Sequence, residues 1–256
     1  MSARRLFIVL LLALASGSAQ ELKVAAASDL TAALAKLSSA FEKESGIRLN
    51  ISLGSSGNFF AQIENGAPFD VFLSADVSFS RRLIDAGFAE QGSLTLYGVG
   101  RIVLWTMKPD FEVSRGLAVL ADAGVRKVAI ANPDHAPYGR AAKAALEHEK
   151  LWETLQPKLV LGENIAQTLE FVQTGNADAG VVALSLVLAP KLAGKGLYYE
   201  IPEAFHPPLE QSAVITKHGA ENAGAKAFLQ FLGSPEARPI LERYGFRVPP
   251  GEAPAK

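Results

Sequence analysis

From residue 22 to residue 244 the chain repeats one unit. A short apolar run of strand length meets a few small or hydrogen-bonding residues, and an amphipathic stretch of helical period follows. Residues 22–27 form the first apolar run, followed by Ser28-Asp29 and a helical period at Leu30, Ala33, Leu34, Leu37 and Phe41 that Gly46 closes. Strands are predicted again at 48–53, 69–74, 101–106, 127–131, 158–161 and 178–183, and helices at 138–149 and 165–173. Residues 221–244 hold two more helices, the second opened by Ser234-Pro235-Glu236 with proline in its first turn. This alternation argues for an α/β protein with mostly parallel sheets flanked by helices. Two Gly- and Pro-rich zones, residues 97–100 and 205–208, are candidate crossings between two lobes. Residues 22–100 with 212–256 would form lobe I, and residues 101–211 lobe II.

The first twenty residues read as a separate segment. Arg4 and Arg5 precede an apolar run at 6–15, and Gly17 and Ala19 have the −3 and −1 spacing of a cleavage site. That order is a secretory signal peptide, and its apolar run is about half of what a membrane-spanning helix needs. Losing the two arginines takes the net charge from −1 to about −3. With no cysteine in the chain, lipid attachment, disulfides and a thiol nucleophile are excluded. A soluble periplasmic protein is therefore expected. Lys plus Arg total 25 against 26 Asp plus Glu, so no basic excess exists to hold nucleic acid.

Four strand-to-helix junctions carry the functional signal: Ala27-Ser28-Asp29, Gly54-Ser55-Ser56-Gly57, Ala136-Pro137-Tyr138-Gly139 and Gly162-Glu163-Asn164-Ile165. In an open parallel sheet the carboxyl ends of the strands line the ligand crevice. A helix start there offers unpaired N–H groups and the positive end of the helix dipole, and serine adds a hydroxyl donor. Any one of these junctions alone is an ordinary helix cap. Four of them, two in each inferred lobe, point to a cleft and to a secreted two-lobed binding protein with an anion among its candidate ligands.

Catalytic readings find little support. A G-x-S-x-G elbow would need glycine at 58, where Asn58 stands, and no Ser-x-x-Lys occurs. His135, His148, His206 and His218 lie too far apart in sequence for a histidine-based metal site. His135 reads as a loop histidine capping its neighbours, and His148 as a solvated helix position.

Several stretches resemble, in order along the chain, the periplasmic molybdate-binding proteins of ABC transporters. They are residues 25–28, 52–56, 66–72, Ala75-Asp76, 132–142, 162–165 and 243–246. The resemblance implies the two-lobed type II periplasmic binding fold, with molybdate or tungstate in the cleft. It implies delivery to an inner-membrane permease with a cytoplasmic ATPase. No enzymatic activity, no cofactor and no cation ligand are implied, and a monomer is expected. Carried over by position, Ser28 and Ser56 would give hydroxyl and backbone donors, and Asp29, Tyr138 and Ile165 backbone N–H donors. Two departures stand out. Ala183 occupies a position where many relatives have a donating tyrosine, which the Tyr138 hydroxyl is expected to replace in part. Asp29 replaces leucine, and its carboxylate is expected to turn away and cap the helix. Sulfate or a small organic acid is the alternative ligand, with Arg140 the nearby cation that a carboxylate would need.

Overall fold

The computed structural model describes residues 21–248, so the expected signal segment at 1–20 lies outside the described residues. In chain order the strands and helices are β1 (Glu21–Ala27), α1 (Thr31–Ser45), β2 (Arg48–Gly54), α2 (Ser56–Glu64), β3 (Val71–Ser74), α3 (Val77–Asp85), β4 (Thr95–Gly100) and β5 (Ile102–Thr106). There follow β6 (Val128–Ala131), α4 (Pro137–His148), α5 (Trp152–Leu155), β7 (Leu159–Gly162), α6 (Ile165–Gln173), β8 (Ala179–Ala183) and α7 (Leu184–Val187). The chain continues with β9 (Leu197–Glu200), β10 (Leu209–Ile215), α8 (Ala223–Leu232) and α9 (Arg238–Arg243).

The strands form two five-stranded sheets of matching design, ordered β2-β1-β3-β10-β4 and β7-β6-β8-β5-β9. In the first, β1 runs parallel to β2 and β3, while β10 is antiparallel to β3 and β4. In the second, β6 runs parallel to β7 and β8, while β5 is antiparallel to β8 and β9. Each antiparallel strand is the one that enters its sheet after the chain has crossed from the other. The parallel majority expected from the alternation is present, with one reversed strand per sheet.

The first sheet is covered on both faces, which is why β1 is apolar along most of its length. Leu22, Val24 and Ala26 meet the layer containing Leu34, Phe41 and Phe228, while Ala25 meets Phe59, Phe60 and Leu83 on the opposite face. Helix α1 buries Ala33, Leu34, Leu37 and Phe41 at helical spacing. Gly46 ends it at φ 72°, donating its N–H to the Glu42 carbonyl; a left-handed residue there favours glycine. In the second sheet Ile102, Val103, Leu104 and Trp105 are all fully buried in a single core.

Three segments differ from the sequence reading. Residues 97–100, expected as a crossing, are themselves the end of strand β4, and the chain passes from one sheet to the other directly after them, through Arg101. β9 and β10 lie outside the predicted strands. β10 begins at Leu209, opposite Gly100, three residues ahead of the expected lobe limit at 212. The last helix starts at Arg238 with Pro239 in its first turn, rather than at Ser234. Ser234 instead accepts the Ala237 N–H in the preceding turn. A second proline, which needs no N–H partner in a first turn, takes over the start.

Candidate functional site

The carboxyl ends of β1, β2 and β3 face those of β6 and β7 across a cavity of about 190 Å³ including its mouth. All five residues expected to bind, Ser28, Asp29, Ser56, Tyr138 and Ile165, line it together with Ala27, Gly54, Ser55, Ala75, Ala136 and Pro137. No lysine, arginine or histidine is among them. What positive potential the cavity has comes from peptide dipoles. Ser56 opens α2, Ile165 opens α6, and Tyr138 follows Pro137 at the start of α4. N–H groups at these positions have no carbonyl one helical turn back to bind.

The two serines are held differently. Ser56 is fully buried, and its Oγ accepts the Ala75 N–H at 3.0 Å, so its own hydrogen is directed elsewhere. Ser28 Oγ donates to Asn164 Oδ1 at 3.2 Å and accepts the Ala166 N–H at 3.4 Å. Its hydroxyl must turn away from Asn164 to meet a ligand.

The Asp29 carboxyl stays close to the N–H groups of Asp29 and Leu30 in its own turn, and it also has a partner in the other lobe. Oδ2 accepts the Tyr138 hydroxyl at 3.0 Å across the cleft, while the buried Oδ1 makes no well-formed hydrogen bond. Burial pushes this carboxyl up to about 7, with the Tyr138 hydroxyl and the N–H groups of Asp29 and Leu30 offsetting part of the effect. The Tyr138 hydroxyl is therefore engaged with Asp29 and does not stand in for the hydroxyl missing at Ala183. Burial and the neighbouring Asp29 keep the Tyr138 phenol protonated, pushing its pKa well above the ordinary tyrosine range. Tyr97 and Gln211 extend the buried network, the Tyr97 hydroxyl donating to Gln211 Oε1 at 3.2 Å. A β-carbon at Gly100 would lie 2.3 Å from the Tyr138 hydroxyl, so only glycine lets this network close.

Two participants went unpredicted as such. Asn164 caps α6 through the N–H groups of Ala166 and Gln167 while bonding Ser28 of the other lobe. An asparagine directly before an apolar helical run was the available signal. His135 reaches across the cleft rather than capping its own loop. Its carbonyl accepts the Gly57 N–H at 2.9 Å, and its ring lies 3.0 Å from Ser55 Oγ. Nothing local marks that contact, because the partners are 80 positions apart. Ser55, His135 and Glu163 stand in the order of a hydrolytic triad. However, Ser55 Oγ is occupied as the N-cap of α2, and the Glu163 carboxylate is exposed, 3.6 Å from the ring. Of the three, Ser55 and His135 join the two lobes. Arg140 lies outside the cavity lining, bonded to Asp76 at 2.6 Å and resting over the Phe79 ring.

Two lobes built on matching sheets, meeting at strand ends around a small cavity of neutral donors, define a solute-binding protein. The chain belongs to the bacterial extracellular solute-binding protein family, whose model matches residues 22–247. Within it, the chain is 40% identical over 229 residues to the molybdate-binding protein ModA of Rhodobacter capsulatus, covering 90% of this chain and 89% of that one. It is 41% identical to the molybdate-binding protein ModA of Azotobacter vinelandii, covering 90% and 91%. The solved periplasmic molybdate-binding protein of Azotobacter vinelandii superposes with a TM-score of 0.85 at 38% identity, over 90% of this chain and all of that one. The fold is that of the type II periplasmic binding proteins. The sulfate-binding protein SubI of Mycobacterium tuberculosis, at 15% identity and a TM-score of 0.70, shares the fold alone.

Proposed function

We propose that this chain captures molybdate in the cleft, outside the cytoplasm, and delivers it to an ABC importer. The oxyanion is held by the hydroxyls of Ser28 and Ser56 and by the backbone N–H groups of Ser28, Asp29, Ser56, Tyr138 and Ile165. The carrying observation is the cavity wall itself: neutral donors and small residues from both lobes, three helix starts, and no cationic side chain. Charge-assisted hydrogen bonds of this kind contribute roughly 1.5–3 kcal/mol each before the costs of closure. Tungstate, nearly the same size, is the second ligand; sulfate is smaller and leaves the donors stretched. The relatives named for molybdate support the same reading.

Residues 1–20 act as the signal segment, and the mature chain works as a monomer without catalysis or cofactor. An inner-membrane permease with its cytoplasmic ATPase recognises the closed shape, in which both lobes are in register. The organic-acid alternative loses its cation, since Arg140 is bonded to Asp76.

A thermal-shift panel on the mature protein with molybdate, tungstate, sulfate and phosphate at equal concentration tests the reading. A ligand at a thousand times its dissociation constant adds about 4 kcal/mol, which raises the Tm by several degrees. Stabilisation by molybdate and tungstate alone is expected. Stabilisation by sulfate, or by none of the four, overturns the assignment of ligand.

A further inference from the structure

Asp29 is the ionisable group in the cavity wall that the binding reading leaves without a role for its side chain. It is fully buried and lines the same cavity as Ser28 and Ser56; its Oδ2 accepts the Tyr138 hydroxyl, while Oδ1 makes no well-formed hydrogen bond and the N–H groups of Asp29 and Leu30 lie close to the carboxyl. The groups around it are neutral donors. From α4 comes the Tyr138 hydroxyl, from β4 Tyr97, from β10 Gln211, and from α7 Ser185, whose hydroxyl donates to the Asp29 carbonyl at 2.7 Å. On α6 the ionisable residue is Glu170, which is exposed, as are Lys36, Glu42, Lys43 and Glu44 on α1. Elsewhere on α4, Arg140 is paired with Asp76 and Lys143 with Glu147, and His148 is exposed. Among the described residues no cation bonds to the Asp29 carboxyl group.

A carboxylate in this place would be desolvated and without a counter-charge, and the Tyr138 hydroxyl with the N–H groups of its own turn offsets only part of that cost. A dianion entering the same cavity would oppose it further. We propose that Asp29 is a neutral carboxylic acid in the closed, loaded cleft, so that capture of the anion takes up a proton. This rests on the proposed oxyanion function and adds its proton stoichiometry. The new O–H bond forms on Oδ1, which makes no well-formed hydrogen bond, and the proton comes from the solvent.

The sign of the effect follows from the two states of the cleft. An open cleft that admits water to the carboxyl would return it toward the ordinary aspartate value of about 4. In the closed cleft burial pushes it up to about 7, and the dianion's charge acts in the same direction. The closed state thus holds more protons through that window, and affinity falls as pH rises through it. Between pH 6 and pH 8 the dissociation constant rises about tenfold or more.

The test is isothermal titration of the mature protein with molybdate at pH 6, 7 and 8, each in two buffers of different ionisation enthalpy. Wild type is expected to show the rise in Kd and net proton uptake at pH 7. In Asp29→Asn, which keeps an acceptor for Tyr138 and has no proton to lose, the ratio of Kd at pH 8 to pH 6 falls to about one and the uptake disappears. Tight molybdate binding by wild type without pH dependence or uptake overturns the proposal while leaving the binding function intact. A pH dependence that survives in Asp29→Asn assigns the proton to another group, such as His135, and also overturns it. Molybdate that fails to bind at any pH overturns the function and this proposal together. Should the Asn variant not fold, NMR titration of the labelled Asp29 carboxyl in molybdate-loaded wild type decides. A midpoint above pH 6 supports the proposal, and one near pH 4 overturns it.

Discussion

Ser56 illustrates how a hydroxyl becomes a committed donor. Its oxygen already accepts the Ala75 N–H, so it has little reason to point its hydrogen back into the fold. Ser56→Ala removes that donor and leaves a buried N–H unpaired. A loss of roughly 1.5–3 kcal/mol of binding follows, which isothermal titration with molybdate would read as a Kd about 10- to 150-fold higher. Ser28 and Ser56 were recognisable in the sequence because each directly follows or closely follows a strand end and precedes a helix. The behaviour of Asp29 was not. Its local position suggested a cap, yet a hydroxyl from the other lobe and full burial decide where the carboxyl points and which form it favours. The same applies to Tyr138, whose place at a helix start was legible while the engagement of its hydroxyl was not.

At the level of elements, the helix starts are held by close backbone approaches that only glycine permits, and two of these separate folding from closure. A β-carbon at Gly139 would lie 2.2 Å from the Ala131 carbonyl, inside the same β6–α4 unit. Gly139→Ala therefore strains the fold itself and is expected to cost about 1–3 kcal/mol, a Tm drop of several degrees without ligand. At Gly57 the clash, 2.5 Å, is with the His135 carbonyl across the cleft. Gly57→Ala is expected to keep the ligand-free Tm near wild type and to bind molybdate at least about tenfold more weakly, because only the closed arrangement meets the obstacle. An equal loss of ligand-free Tm in both variants would contradict this division. Helices such as α1 and α6 were legible because their apolar spacing and terminal residues are local signals. β4, β9 and β10 were not. β4 carries two glycines, β9 is largely exposed, and β10 pairs only with strands distant in sequence.

For the whole molecule, two carboxyl groups set opposite pH dependences. Burial would raise Asp178, but Lys108 and the backbone N–H groups of Arg126 and Lys127 outweigh it and hold this carboxyl below the usual range. A lowered value in the folded state gives stability that is present above about pH 4 and lost as the pH falls further. Asp178→Asn is therefore expected to lower the Tm at pH 7, with the difference from wild type shrinking on acidification below about pH 4 in thermal scans. The raised carboxyl of Asp29 acts the other way, and it acts on closure: it favours the closed cleft at lower pH. Closure also joins Asp76 to Arg140, a half-exposed pair that contributes little by itself.

Apolar period, caps and the four junctions are properties of neighbouring residues. The sequence alone therefore determined an α/β chain with helix starts gathered at strand ends, and hence a binding cleft with an anion among its candidate ligands. Tertiary structure decided which donors remain available and what charge the wall carries. Tyr138 and Asp29 are 109 positions apart, and Ser28 and Asn164 are 136 apart. Burial, the quantity that moves the Asp29 proton, is made by groups far apart in sequence, Tyr138 and Ser185 among them.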